Sequence, residues 1–222
     1  MEIKTKSEHD SVADLKIVDA YMRWALLAAE EVVGRQGMNV VLREATLERV
    51  AGNYPANELK ATGSFTFGDY ANLNGALLNF FGRAGKSMVL RIGRISAKHG
   101  IEQQGAMFGL AALVASKLLP FPAQVKLGGE AMRDGFVKVY GTIGQKPDIA
   151  IEDRGRTLVY IDRACANCAG KQSDAPMCWI HVGVLQEAIR WQTGKEGDVK
   201  QTACRAMGDA ECVWEISKTP KE

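Results

Sequence analysis

Much of what marks an enzyme is missing from these 222 residues. There are three histidines, His9, His99 and His181, and no nucleophile–base pair stands out around them. General-base catalysis most often recruits histidine, so hydrolase chemistry is disfavoured. No Gly-x-Gly-x-x-Gly follows a strand pattern and no P-loop is present; the glycines at 82–85 and 128–129 fit neither motif. A hydride-transfer enzyme with its own nicotinamide site is therefore not expected. Charge is nearly balanced, with 28 basic and 26 acidic residues. That balance gives no electrostatic reason for a nucleic-acid partner or an anionic membrane. No apolar run approaches twenty residues, so no membrane span is expected. The polar stretch from Met1 to Asp14 lacks the apolar segment of a secretory signal and reads as a mobile lead-in. A cytoplasmic location is the default expectation. Internal repeats and low-complexity segments are absent too.

Cysteine is missing from the first 164 residues and then abundant. All five cysteines, Cys165, Cys168, Cys178, Cys204 and Cys212, fall within 48 residues. Cys165-Ala-Asn-Cys168 can offer two sulfurs from one turn. Cys204 and Cys212 flank Gly208-Asp209, a tight-turn signal that brings them together in a hairpin. In a reducing compartment such cysteines are metal ligands or thiols rather than disulfides. Soft sulfur ligands suit zinc or an iron–sulfur centre. Against this stands the plain alternative that free cysteines are buried as small hydrophobes.

Periodicity places helices first and strands later. Val18, Tyr21, Met22, Ala25, Leu26, Ala29, Val32 and Val33 recur at three- and four-residue spacing, and Gly34 and Gly37 are expected to end that helix. Further helices are expected over 38–50, from an Asp69 N-cap to Phe81, and over 86–98, 123–140 and 177–193. The run 105–119 is almost wholly apolar, which fits a buried helix or a cavity wall, with Phe80, Phe81 and Phe108 near it in sequence. After Pro147 the pattern changes to two hairpins, 148–153 with 157–162 and 199–203 with 211–217. The order implies an α+β fold in which helices cover a mostly antiparallel sheet. Length fits one domain, residues 15–217, after the polar N-terminus of residues 1–14.

The C-terminal third resembles the vinyl-4-reductase-type family of hydrocarbon- or small-molecule-binding modules. The matching residues are Cys178 at a helix head, Gly183, Gly194 at the helix end, and Cys204-x-x-x-Gly208-Asp209-x-x-Cys212-x-Trp214-x-Ile216. Arg83 to Gly100 is similar to the family's N-terminal half. The resemblance implies a helical layer on a four-stranded antiparallel sheet, related to transport-complex subunits and haem-based nitric-oxide sensor domains. In aromatic-sensing relatives, three cysteines and a glutamate hold zinc. The cysteines correspond to Cys178, Cys204 and Cys212, but the glutamate position is Gln201, a poor zinc ligand. Cys165 or Cys168 is then the expected fourth ligand, with His181 a weaker candidate. Four or five cysteines around an iron–sulfur cluster is the alternative.

Three functions follow as expectations. The first is a carrier, sensor or adaptor for a small apolar or aromatic ligand, hydrocarbon or tetrapyrrole, with a structural zinc site. The second is a reductase or accessory in bacteriochlorophyll 4-vinyl reduction, with a cluster or partner as electron source. The third is an interaction protein that dimerises through the 18–33 stripe; a homodimer is the default.

Overall fold

A computed structural model describes residues 2–105 and 116–221. The chain begins with a strand, β1 (Ile3–Thr5), and a 3-10 turn over Ser11–Asp14. Three helices follow: α1 (Asp19–Glu44), α2 (Phe67–Phe81) and α3 (Gly85–Gln104). A fourth, α4 (Phe121–Gly141), precedes the hairpin β2 (Ile149–Asp153) and β3 (Thr157–Asp162). The cysteine loop carries the short strand β4 (Lys171–Ser173) and leads into α5 (Trp179–Thr193). The chain closes with β5 (Gly197–Ala203) and β6 (Cys212–Pro220).

The four long strands form one sheet in the order β2-β3-β6-β5, every pair antiparallel. β1 pairs separately with β4. The expected α+β class and both hairpins are present. Sheet residues Leu158, Tyr160, Trp214 and Ile216 are fully or almost fully buried beneath the helices. They lie at alternate positions of β3 and β6, which turns them to one face of the sheet.

Several boundaries differ from the periodicity. α1 does not stop at Gly34. That residue adopts φ 71°, ψ 165°, and the helix resumes beyond it because Met38, Val41 and Leu42 continue the buried stripe. Glycine tolerates this left-handed φ, so the chain bends there without ending. α2 starts two residues before Asp69. Thr66 is the cap: its Oγ1 accepts from the Asp69 amide at 3.2 Å, and the Asp69 carboxylate accepts from the Thr66 amide at 3.1 Å. Asp69 is thus the reciprocal half of a capping box.

The stretch expected as a polar lead-in holds β1, and Asp10 pins it. The Asp10 carboxylate accepts from the Gly170 amide at 3.0 Å, from the Val12 amide at 3.1 Å and from the Arg205 guanidinium at 3.1 Å. Although burial works against it, these donors hold the Asp10 carboxyl down at about 2. Much of the apolar run 105–119, with Phe108, lies outside the described residues.

α3 and α5 cross at glycines. A Cβ on Gly93 would strike the Ile180 carbonyl oxygen, and one on Gly183 would strike that of Leu90. The close crossing brings the first turns of α5 over the sheet, where they meet both the cysteine loop and the space between helices and sheet.

Candidate metal centre and adjoining cavity

All five cysteines are free, and none shows any exposed surface. Three separate pieces of chain deliver them. Cys165 and Cys168 sit in a turn after β3, closed by the Cys168 amide donating to the Cys165 carbonyl at 3.4 Å. Cys178 occupies the N-cap of α5, where the helix dipole favours a thiolate. Cys204 and Cys212 flank a turn in which Gly208 takes φ 99° and Asp209 accepts from the Cys204 amide at 2.8 Å. Asn74 of α2, fully buried, ties two of the pieces together. Its Nδ2 donates to the carbonyls of Asn167 at 2.9 Å and Met177 at 3.0 Å.

The sulfurs of Cys165, Cys168, Cys178 and Cys212 all lie within 4.8 Å of one another. Individual separations are 3.8 Å for Cys165–Cys178, 3.4 Å for Cys168–Cys212 and 3.9 Å for Cys178–Cys212. With metal–sulfur bonds of about 2.3 Å, four tetrahedral sulfurs sit about 3.8 Å apart. The donor set therefore fits one tetrahedral ion. Cys204 stands beside this group, its sulfur 3.8 Å from that of Cys178. The Arg205 amide donates to the Cys212 sulfur at 3.3 Å. Burial opposes ionisation of Cys165, yet hydrogen bonds from its thiol neighbours hold it well below the ordinary thiol range, while burial pushes Cys178 up.

Gln201 is not directed at an ion. Its Oε1 accepts from the Cys178 amide at 3.2 Å and its Nε2 donates to the Ala203 carbonyl at 3.1 Å. It braces the head of α5 against β5. His181 is likewise outside the sulfur cluster; its ring centroid lies 4.4 Å from that of Trp214 and 5.1 Å from that of Tyr160. Burial lowers its pKa to about 4, so the imidazole is neutral near pH 7.

Next to the cysteines lies a cavity of about 460 Å³. Helices α1, α3, α4 and α5 and the sheet enclose it. Tyr21, Trp24, Phe136, Tyr140 and Leu185 give it apolar and aromatic walls. Three buried polar side chains also line it: Tyr160, Asn167 and His181. Tyr160 Oη, Asn167 Oδ1 and His181 Nε2 have no hydrogen-bond partner among the described residues. Burial raises the Tyr160 hydroxyl well above its usual range and the Asp162 carboxyl to about 7. Lys146 is the one lysine or arginine on the described lining. Phe80 and Phe81, placed near a cavity by the sequence, do not line this one; Phe80 is 39% exposed. Periodicity could not find the lining, because its members come from elements far apart in the chain.

Residues 159–218 match the vinyl-4-reductase domain family. No curated protein matches the chain. Among solved structures, the chain is similar to an H-NOX protein from S. oneidensis in the Fe(II)NO ligation state, at 12% identity, covering 90% of this chain and 100% of that one, TM-score 0.52. It is similar to the Fe(II) unliganded H-NOX protein from K. algicida, at 12% identity, 92% and 98% coverage, TM-score 0.57. An oxygen-binding H-NOX domain related to soluble guanylate cyclases, in its oxygen complex, matches at 11% identity, 92% and 96% coverage, TM-score 0.53. At these identities the likeness is one of fold.

Proposed function

We propose that this chain is a binding module for a small, neutral, apolar or aromatic ligand held in the cavity. In this reading it acts as carrier, sensor or adaptor, with residues 15–217 as the working unit and a cytoplasmic setting that keeps the thiols reduced. The observation that carries it is the combination of apolar walls with unpartnered buried polar groups. A buried polar atom without a partner is costly, and a bound molecule that meets it recovers that cost. Ligand sites have this composition: mostly apolar lining with a few convergent polar groups.

The sulfur spacing supports zinc at Cys165, Cys168, Cys178 and Cys212, with Cys204 adjacent. A cluster that puts each thiolate on a different iron would spread the sulfurs further. An ion closed by four protein ligands keeps no open position, so its work is structural. It would join the loop after β3, the head of α5 and the β5–β6 hairpin. Metal analysis of protein purified without oxygen should find about one zinc per chain. Cys178→Ser should abolish loading, whereas Cys204→Ser should retain it. Iron with sulfide, and a broad band near ~400 nm, would bring the reductase reading forward instead.

A panel of neutral aromatics at micromolar concentration should raise the melting temperature; silence across the panel would count against the ligand role. The tetrapyrrole reading keeps one observation in its favour, the neutral, unpartnered His181 imidazole in the cavity wall, a group suited to axial ligation of haem iron. Against it, Lys146 alone offers a cationic group to acidic side arms. Haem titration with an absorption readout separates the two. The exposed apolar residues Val40 on α1 and Phe80 on α2 support homodimerisation, which sedimentation velocity tests.

A further inference from the structure

Asn167 belongs to both the cysteine centre and the cavity. It lies between Cys165 and Cys168, and its side chain is almost wholly buried on the cavity wall. Its backbone cannot drift, because Asn74 Nδ2 holds its carbonyl at 2.9 Å. Its Nδ2 donates toward the Cys165 sulfur at 3.9 Å, while its Oδ1 meets no donor. This orientation of the amide is the one electrostatics favours, since an electron-rich sulfur attracts N–H and repels a carbonyl oxygen. The amide is one rigid plane, so a force on its oxygen moves its nitrogen. N–H bonds to sulfur tune a thiolate as a metal ligand, as other outer-shell contacts do.

We propose that Asn167 reads a hydrogen-bond donor on the cavity ligand and transmits occupancy of the cavity to the cysteine centre. The proposal rests on the ligand-binding reading above and deepens it. The free amide oxygen can only accept, so the preferred ligand carries an O–H or N–H group. Tyr160 and His181 complete the polar end of the cavity. The Cys165 charge is felt at the Tyr160 hydroxyl, which places that hydroxyl on the same side as the Asn167–Cys165 contact. A ligand donor that engages Oδ1 fixes the amide plane, and with it the N–H directed at Cys165. The metal's thiolate environment then differs between the filled and the empty cavity.

The test uses the full chain loaded with cobalt(II), whose thiolate charge-transfer bands report the sulfur environment. Two probes of matched shape are 1-naphthol, which donates a hydrogen bond, and naphthalene, which does not. The wild-type protein should bind 1-naphthol about three- to tenfold more tightly than Asn167→Ala does, the range of one neutral hydrogen bond. The cobalt bands should move on 1-naphthol binding in the wild type and stay fixed in the variant. Naphthalene should bind both proteins within about twofold and leave the bands unmoved. Asn167→Leu keeps the side-chain volume and gives the same comparison without opening the wall. Equal 1-naphthol affinity in wild type and both variants, or static bands in the saturated wild type, overturns the role of Asn167 and leaves the ligand reading standing. Binding of neither probe by the wild type overturns the ligand reading and this proposal with it. Failure of cobalt to load at the thiolates removes the coupling alone.

Discussion

Two buried side chains carry most of the risk in this structure. Asn74 has no exposed surface and satisfies two carbonyls of the cysteine segments. Asn74→Ala leaves both carbonyls buried and unpaired, which should cost about 2–3 kcal/mol in urea unfolding and weaken metal retention. His181 is held neutral, its pKa lowered from 6.5 to about 4 by burial. A base with a depressed folded pKa loses stability as pH falls, because the unfolded chain takes up the proton first. The loss begins near 6.5 and is complete near 4, and it amounts to about 3 kcal/mol. His181→Phe removes this component. The drop in urea midpoint between about pH 7 and about pH 5 should be smaller for His181→Phe than for the wild type. An equal drop in both would mean that acid acts elsewhere. Neither role was legible in the sequence. Asn74 looks like any polar residue of a helix, and His181 has one turn of spacing from Cys178, which suggested a ligand. Only the packing of α5 on Tyr160 and Trp214 turns it toward the cavity.

At the scale of elements, the glycines that look like helix weaknesses mark close approach. Gly183→Ala drives a methyl group into the Leu90 carbonyl and should cost about 3 kcal/mol, since neither backbone can yield easily. Gly194→Ala, at the left-handed cap of α5 with φ 71° and open space around it, should cost only about 1 kcal/mol. Chemical denaturation of the two variants separates steric crossing from backbone strain. Hairpins and the α5 cap were readable, because strand alternation and a terminal glycine are local signals. The continuation of α1 beyond Gly34 was not, because a glycine ends or bends a helix according to what the following residues can bury. Pairing of β1 with β4 was equally hidden: two three-residue strands at opposite ends of the chain carry no periodicity of their own.

For the molecule as a whole, the metal centre links pieces that the sheet alone does not. The β3 loop, the α5 head and the terminal hairpin meet at the sulfurs, and Arg205 passes the link on to Asp10 near the N-terminus. Melting temperature should therefore rise with free zinc, with about 4 kcal/mol of added stability when zinc exceeds its dissociation constant about a thousandfold. Independence from zinc would leave the cysteines as ordinary buried thiols. Among the described residues no helix is long and apolar enough to cross a membrane, which accords with the lack of long apolar runs.

By itself the sequence determined the fold class, the order of helices and hairpins, the family pattern of the C-terminal third and the five cysteines as a set. These depend on neighbours within a few positions, or on residue types rare enough to count. Tertiary structure decided which four sulfurs converge, why Gln201 braces rather than ligates, and where a cavity opens. Those outcomes depend on distances between segments tens of residues apart, which the burial of the helix layer against the sheet sets and no local pattern encodes.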